Sequence, residues 1–553
     1  MPSIARLLLT STSLFLLSCG TATTDPNNGT TTGPNNGKGD QAGDLVGEVL
    51  NESQRDVDFT QLGDTLARAV LRSGDSLPAT YEETVAKLEK FDTEGCTDGP
   101  SKSMTTFVVS ETAQILGVPT NYRTVTSRLC DGRQRHGLVF STFGATVDGP
   151  VPENAEVIAF DDAAGVFNYY EVAGGEWSFF GDSTDILDET AGRCAECHVG
   201  GGLIMKELDT PWLHWEGHTT TPGAVDLVKN HQSTLGSRGA SASTLEITVK
   251  RANREWNEFR VTALLGSQDP RRVLEPLFCS LEINLDNGAD FSTSQITRIP
   301  GDFLFDPQLR GVGNGSIPMT ADVYQAAIVA AGQTVPGLPE AKADTFFAMV
   351  YPERAHIDDD YVESLVERGV IDQPFVKDVL MVDFTRPIFS DERCALLDFA
   401  PTVSQLADTC CKNCSAGPAC GDTCIAGGST CSQPEGCACG ANGPLTPNRI
   451  RQGFVDNLLA ANTPARSAAG ELLAGLQNVS DDADHEARLN TFLTACRERP
   501  QAELMTDVMT VMSLYRRKAR QLTVFEFEAT MPTDTLSPDA NHHLDPSTCL
   551  LTK

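Results

Sequence analysis

The spacing of apolar positions changes character along the chain. From about Asp58 to Lys90 it is helical: Leu62, Leu66, Val70 and Leu71 share one side, and a second run, Tyr81 to Phe91, follows a break at Pro78. Short β-rich runs then take over, at Thr106–Val109, Gly137–Phe140 and Glu156–Phe160, separated by Gly, Asp and Pro clusters. The stretch Asp161–Val166 reads as a hairpin turn feeding Phe167–Tyr170, and Gly174-Gly175 as a second turn feeding Trp177–Phe180. The pattern predicts an antiparallel meander of some five strands before residue 181, its aromatic side chains forming a core face. Beyond residue 220 helical spacing dominates. Two Thr-Pro pairs, Thr446-Pro447 and Thr463-Pro464, each place a capping hydroxyl before a proline at the first helical position, and Ile450, Phe454, Leu458 and Leu459 follow the first. Tyr361, Val362, Leu365 and Val366 stand behind Asp358-Asp359-Asp360, which reads as a solvated, capped helix start rather than a metal site. The fold class expected is α+β, with a β-rich N-terminal region and a mostly helical C-terminal region.

Composition narrows the setting. With 553 residues, 40% hydrophobic and 21% charged, the chain is long enough for several domains and ordinary enough to fold. Seventy-five acids against 42 bases give a formal charge of -33, which repels phosphate backbones and favours basic partners, so no nucleic acid ligand is expected. Seventeen cysteines point to an oxidising compartment. Arg6 and the apolar run Leu7–Leu17 form a signal peptide, and its ending, Leu16-Leu17-Ser18-Cys19, resembles a bacterial lipobox. That resemblance implies cleavage before Cys19 and acylation of its thiol, with residues 20–43 as a flexible tether poor in apolar side chains. The expected location is the bacterial cell envelope, lipid-anchored, on the periplasmic side or cell surface of the outer membrane. Apart from the signal run, no stretch reaches the length needed to span a bilayer.

The motif that carries chemistry is Cys194-Ala195-Glu196-Cys197-His198. C-x-x-C-H is the attachment sequence of c-type haem: two thiols three positions apart reach both vinyl groups, and the adjacent imidazole is directed beneath the iron. A structural zinc site would want a second ligand pair nearby, a thioredoxin-like disulfide would want a βαβ context, and a plain disulfide leaves His198 unused. At this motif the sequence resembles the cytochrome c group, and the stretch Arg193–Thr221 is similar to segments of large exported bacterial c-type cytochromes. The resemblance implies one covalent haem c, with Cys194 and Cys197 as thioether residues and His198 as proximal ligand. It covers about thirty residues and does not extend to the fold. For the distal ligand, His214 between Trp212 and Trp215 stands first and Met319 second, with His218, His231 and Met205 as further candidates.

Eight cysteines, Cys410, Cys411, Cys414, Cys420, Cys424, Cys431, Cys437 and Cys439, crowd a segment almost without large apolar side chains. In an exported protein they form a disulfide-stapled module rather than an iron-sulfur or zinc cluster. Beyond these, Cys19 and the haem pair, six cysteines remain: Cys96, Cys130, Cys279, Cys394, Cys496 and Cys549, of which Cys96 with Cys130 is the pairing expected. The expected organisation is 1–19 signal peptide, 20–43 tether, 44–185 β-rich region, 186–235 haem-attachment segment, 236–405 mostly helical region, 406–443 Cys-rich insert and 444–553 helical region. The expected function is one-electron transfer to a redox partner, with the membrane reached only through the lipid. Two other functions stay open: a haem-dependent, peroxidase-like enzyme with an open distal site, and a disulfide-rich surface protein without haem. No G-x-S-x-G, HExxH or P-loop is present.

Overall fold

The computed structural model describes residues 58–72, 77–90, 104–110, 122–130, 133–145, 155–161, 163–173, 175–187, 200–202, 242–279, 283–287, 298–309, 315–333, 350–415, 417–434, 436–440, 442–478, 482–521 and 533–553. It is a mixed α+β protein. Six strands, β1 (Met104–Ser110), β2 (Tyr122–Cys130), β3 (Arg133–Ala145), β4 (Ala155–Asp161), β5 (Val166–Ala173) and β6 (Glu176–Asp182), form one sheet in sequential order, each antiparallel to the next. The expected meander is therefore six strands rather than five. The extra strand, β2, reads Tyr-Arg-Thr-Val-Thr-Ser-Arg-Leu-Cys, whose β-branched threonines favour a strand but whose polarity hides it from a search for apolar runs.

Both predicted turns are present. Asp161 pairs with Val166 across the first, where the Asp161 carboxylate accepts the backbone N–H of Ala163 and Ala164 at 3.1 Å each and Gly165 takes φ +75°. Ala173 pairs with Glu176 across the second, where Gly175 takes φ +82°.

The sheet is covered on both faces. One carries Val157, Ala159, Tyr170, Val172, Trp177 and Phe179 against Leu66, Val70 and Leu71 of the N-terminal segment and Val85 and Leu88 of α1 (Tyr81–Lys90). A buried carboxylate pins that segment down: Asp64 accepts from Tyr170 Oη, from Asn168 Nδ2 at 2.8 Å and from Ala67 N at 2.9 Å. Its pKa is raised, burial outweighing those hydrogen bonds. The other face presents Phe160, Phe167 and Tyr169. After α2 (Ser183–Leu187) this face meets α3 (Ala242–Ser267), with Phe160 against Phe259 at 6.0 Å and Phe167 against Trp256 at 6.5 Å between ring centroids. Thus α3 joins the sheet to the helical body.

That body comprises α4 (Pro270–Phe278), α5 (Ala321–Ala330), α6 (His356–Glu367), α7 (Gln373–Leu380), α8 (Asp391–Ala395), α9 (Val403–Ala407), α10 (Pro447–Ala460), α11 (Ala468–Asn478), α12 (Asp482–Glu498) and α13 (Gln501–Gln521), around one continuous apolar core. No described helix is long and apolar enough to cross a membrane. Helix α10 begins at Pro447 as expected, although the Thr446 side chain makes no capping hydrogen bond. The Thr463-Pro464 expectation is corrected: α11 starts four residues after Pro464, at Ala468, and Ser467 supplies the cap, its Oγ accepting Gly470 N at 3.1 Å. The acidic start of α6 is also corrected. Asp358 is fully buried and paired with Arg260 at 3.1 Å, so this end of the helix is an internal charge contact rather than a solvated one.

Candidate functional site

Cys194, Cys197 and His198 lie outside the described residues, as do Cys19, Met205, His214, His218 and His231. The described chain resumes two residues after His198, at Gly200, Gly201 and Gly202, and here the backbone is closely held. The Gly200 carbonyl accepts the indole N–H of Trp256 at 2.8 Å, and the Gly201 carbonyl accepts the Tyr169 hydroxyl at 2.7 Å. Trp256 and Tyr169 are themselves buried, one on α3 and the other on β5, so the three glycines are clamped between helix and sheet. Glycine suits this seam for two separate reasons. Gly201 has φ +74°, and a Cβ on Gly202 would stand 2.6 Å from Ile357 Cδ1 and 2.7 Å from Asn253 Oδ1.

The wall of this seam is one face of α3. Asn253, Trp256, Asn257 and Arg260 recur at helical spacing and all are buried. Asn257 donates its Nδ2 to the Ile357 carbonyl at 2.8 Å, tying α3 to the start of α6. Arg260 pairs with Asp358 and lies over the Tyr361 ring at 4.6 Å. Burial lifts the Tyr361 phenol well above its ordinary value. Among the described residues Asn253 Oδ1, Asn257 Oδ1 and Arg260 Nε have no hydrogen-bond partner. Two unfilled acceptors and one unfilled donor beside a clamped backbone are an arrangement suited to receiving a polar group.

A second charge cluster follows on α6. Asp359 accepts Gln308 Nε2 at 3.1 Å and lies 3.8 Å from Arg354, which also approaches Asp306 at 3.5 Å. Burial, only partly opposed by Arg354, pushes the Asp359 carboxyl up to about 7. The Arg354 guanidinium is spent on backbone as well, donating to the carbonyls of Pro276 and Leu277 at 2.9 and 3.3 Å. This cluster ties α4, α6 and the Asp306 turn together.

Met319, the second distal candidate, is buried in the helical core just before α5. The cysteine-rich segment is stapled within itself: Cys410–Cys439, Cys411–Cys437, Cys414–Cys424 and Cys420–Cys431 are disulfides. Cys411, Cys437 and Asp422 lie close enough to imitate a metal site, but the two sulfurs are bonded to each other and Asp422 accepts Cys437 N at 3.0 Å. Cys279–Cys394 and Cys496–Cys549 are further disulfides, while the expected partner of Cys130, Cys96, lies outside the described residues.

Sequence reasoning passed over Gly200–Gly202, Tyr169, Trp256, Asn253 and Arg260. A signal was available in the three consecutive glycines just after the motif, since such a run marks close backbone approach. No family model matches the chain, and neither a curated protein nor a solved structure matches it.

Proposed function

We propose that the chain is an extracytoplasmic c-type cytochrome, lipid-anchored through Cys19 in the bacterial envelope, which binds one covalent haem and transfers single electrons. The observation that carries this reading is Cys194-Ala195-Glu196-Cys197-His198 itself. Cys194 and Cys197 would supply the thioethers and His198 the proximal imidazole, while the haem supplies the Fe(II)/Fe(III) couple. The described residues bear on this reading in one respect. The clamp on Gly200 and Gly201 gives a firm base two residues after His198. The disulfides support export to an oxidising compartment, where c-type haem is attached. With Met319 packed in the helical core, His214 is the stronger distal candidate. The acidic charge favours docking of a basic redox protein.

The test is a reduced-minus-oxidised spectrum of the matured protein, with and without carbon monoxide. Sharp low-spin bands unaffected by carbon monoxide are expected for a closed electron-transfer site. Carbon monoxide binding to the reduced protein would replace that reading with a haem enzyme having an open distal site. Absence of any haem band from folded protein would leave a disulfide-rich surface protein.

A further inference from the structure

At the root of the cysteine-rich insert two disulfides join neighbouring positions, Cys410–Cys439 and Cys411–Cys437, and opposite charges attend them. Arg449, in the first turn of α10, donates Nη1 to Cys439 Sγ at 2.6 Å and Nη2 to the carbonyls of Gly436 and Ala438 at 2.8 and 3.3 Å. Beside the other pair stands the Asp422 carboxylate, within 4.8 Å of the Cys411 and Cys437 sulfurs. A cation stabilises the thiolate that departs when a disulfide is cleaved, and a carboxylate opposes it. Burial is unequal in the same sense: Cys439 is 1% exposed and Cys410 only half-buried, so an incoming thiolate meets Cys410 and expels the sulfur held by Arg449. Opening this bond frees little chain. Cys411–Cys437 closes nearly the same loop, and Lys412 and Asn413 pair with Ala438 and Cys439.

We propose that Cys410–Cys439 is a thiol-exchange site whose substrate is a dithiol reductant, with Arg449 stabilising the departing Cys439 thiolate. One thiolate of the reductant attacks Cys410 Sγ; a mixed disulfide forms, the Cys410–Cys439 bond breaks and Cys439 leaves as a thiolate paired with Arg449. The second thiol of the reductant gives its proton to solvent and attacks its own sulfur in the mixed disulfide. Cys410 is then expelled and takes up a proton. Two electrons have passed to the protein, and the dithiol departs as a disulfide. Among the described residues, the other three disulfides of the insert have no guanidinium donating to a sulfur. The proposal is independent of the haem reading.

The experiment treats the folded, full-length protein with limiting dithiothreitol, traps the new thiols by alkylation and maps them by mass spectrometry, for the wild type, Arg449→Met and Arg449→Lys. The expected result is that Cys410 and Cys439 are the first thiols of the insert to be labelled. Their opening slows at least about threefold in Arg449→Met and is largely restored in Arg449→Lys, which keeps the charge. A purely structural Arg449 gives the opposite sign, because loosening the insert speeds reduction of its four disulfides together. Opening of another insert disulfide first in the wild type, or opening of Cys410–Cys439 in Arg449→Met at or above the wild-type rate, overturns the proposal. Should Arg449→Met fail to fold, the order of opening in the wild type decides alone. Cys411 and Cys431 are more exposed than Cys410, so they open first if access governs the reaction.

Discussion

Asp359 holds a proton in a pH range where most carboxylates have lost theirs. Its carboxyl rises from 3.8 to about 7 because burial outweighs the attraction of Arg354. Between those values the folded protein retains a proton that the unfolded chain has released, so stability falls as pH increases. The contribution is fully present below the lower value and is lost by the upper one. Asp359→Asn should therefore flatten the decline in urea-unfolding free energy between pH 4 and pH 7, removing a slope of at most about 1.4 kcal/mol per pH unit. An unchanged slope would show that Asp359 titrates normally. Gly201 gives a second prediction at this scale. Gly201→Ala forces a Cβ into a left-handed conformation against Ser183 and Trp256, and should cost about 1 to 3 kcal/mol by urea unfolding. The Cys-x-x-Cys-His pattern beside it was legible in the sequence because all of its residues are near neighbours in the chain. The clamp was not, because its donors arrive from remote strands and helices.

Elements were legible where local chemistry decides them. Asp161 and Gly165 specify their hairpin turn, and Gly175 specifies the next, whatever surrounds them. They were illegible where packing decides. Strand β2 shows too few apolar residues to announce itself, and α11 begins at Ala468 behind a Ser467 cap although Thr463-Pro464 offers the same local signal. The buried Asp358 looked like a surface residue because its partner, Arg260, is 98 residues away. The cysteine-rich insert is stapled by its own disulfides, and Arg449 of α10 also donates to its Gly436 and Ala438 carbonyls. Its outer disulfide brings Cys410 and Cys439 to 5.6 Å between Cα atoms, so the segment leaves and rejoins the body at one place. Replacing residues 411–438 by two glycines, with Cys410 and Cys439 changed to serine, should leave haem content unchanged and the melting temperature within a few degrees; loss of folding would make the insert part of the core. Cys279–Cys394 behaves oppositely, closing a loop of 115 residues within the helical body. Removing it by a double alanine substitution should cost about 4 to 5 kcal/mol, read from the shift of the urea midpoint.

At the scale of the molecule, the helix α3 unites a β-sheet with a helical core and carries one polar face along the glycine seam. Its mixed architecture was legible from the change in apolar spacing, whereas the way the two parts meet was not, since no local pattern encodes it. The charge of -33 also belongs to this scale. Electron exchange with a strongly basic small redox protein should slow severalfold between low and physiological ionic strength as the attraction is screened, in stopped-flow measurements. A rate independent of salt would remove the charge from any role in docking. The electron-transfer reading turns on whether Cys194 and Cys197 carry haem. The most direct measurement is a pyridine haemochrome spectrum of protein matured in a host with c-type haem attachment machinery, beside Cys194→Ala/Cys197→Ala. One covalent haem per chain, absent from the double variant, is the predicted result; a folded, exported wild-type protein without haem would contradict the account.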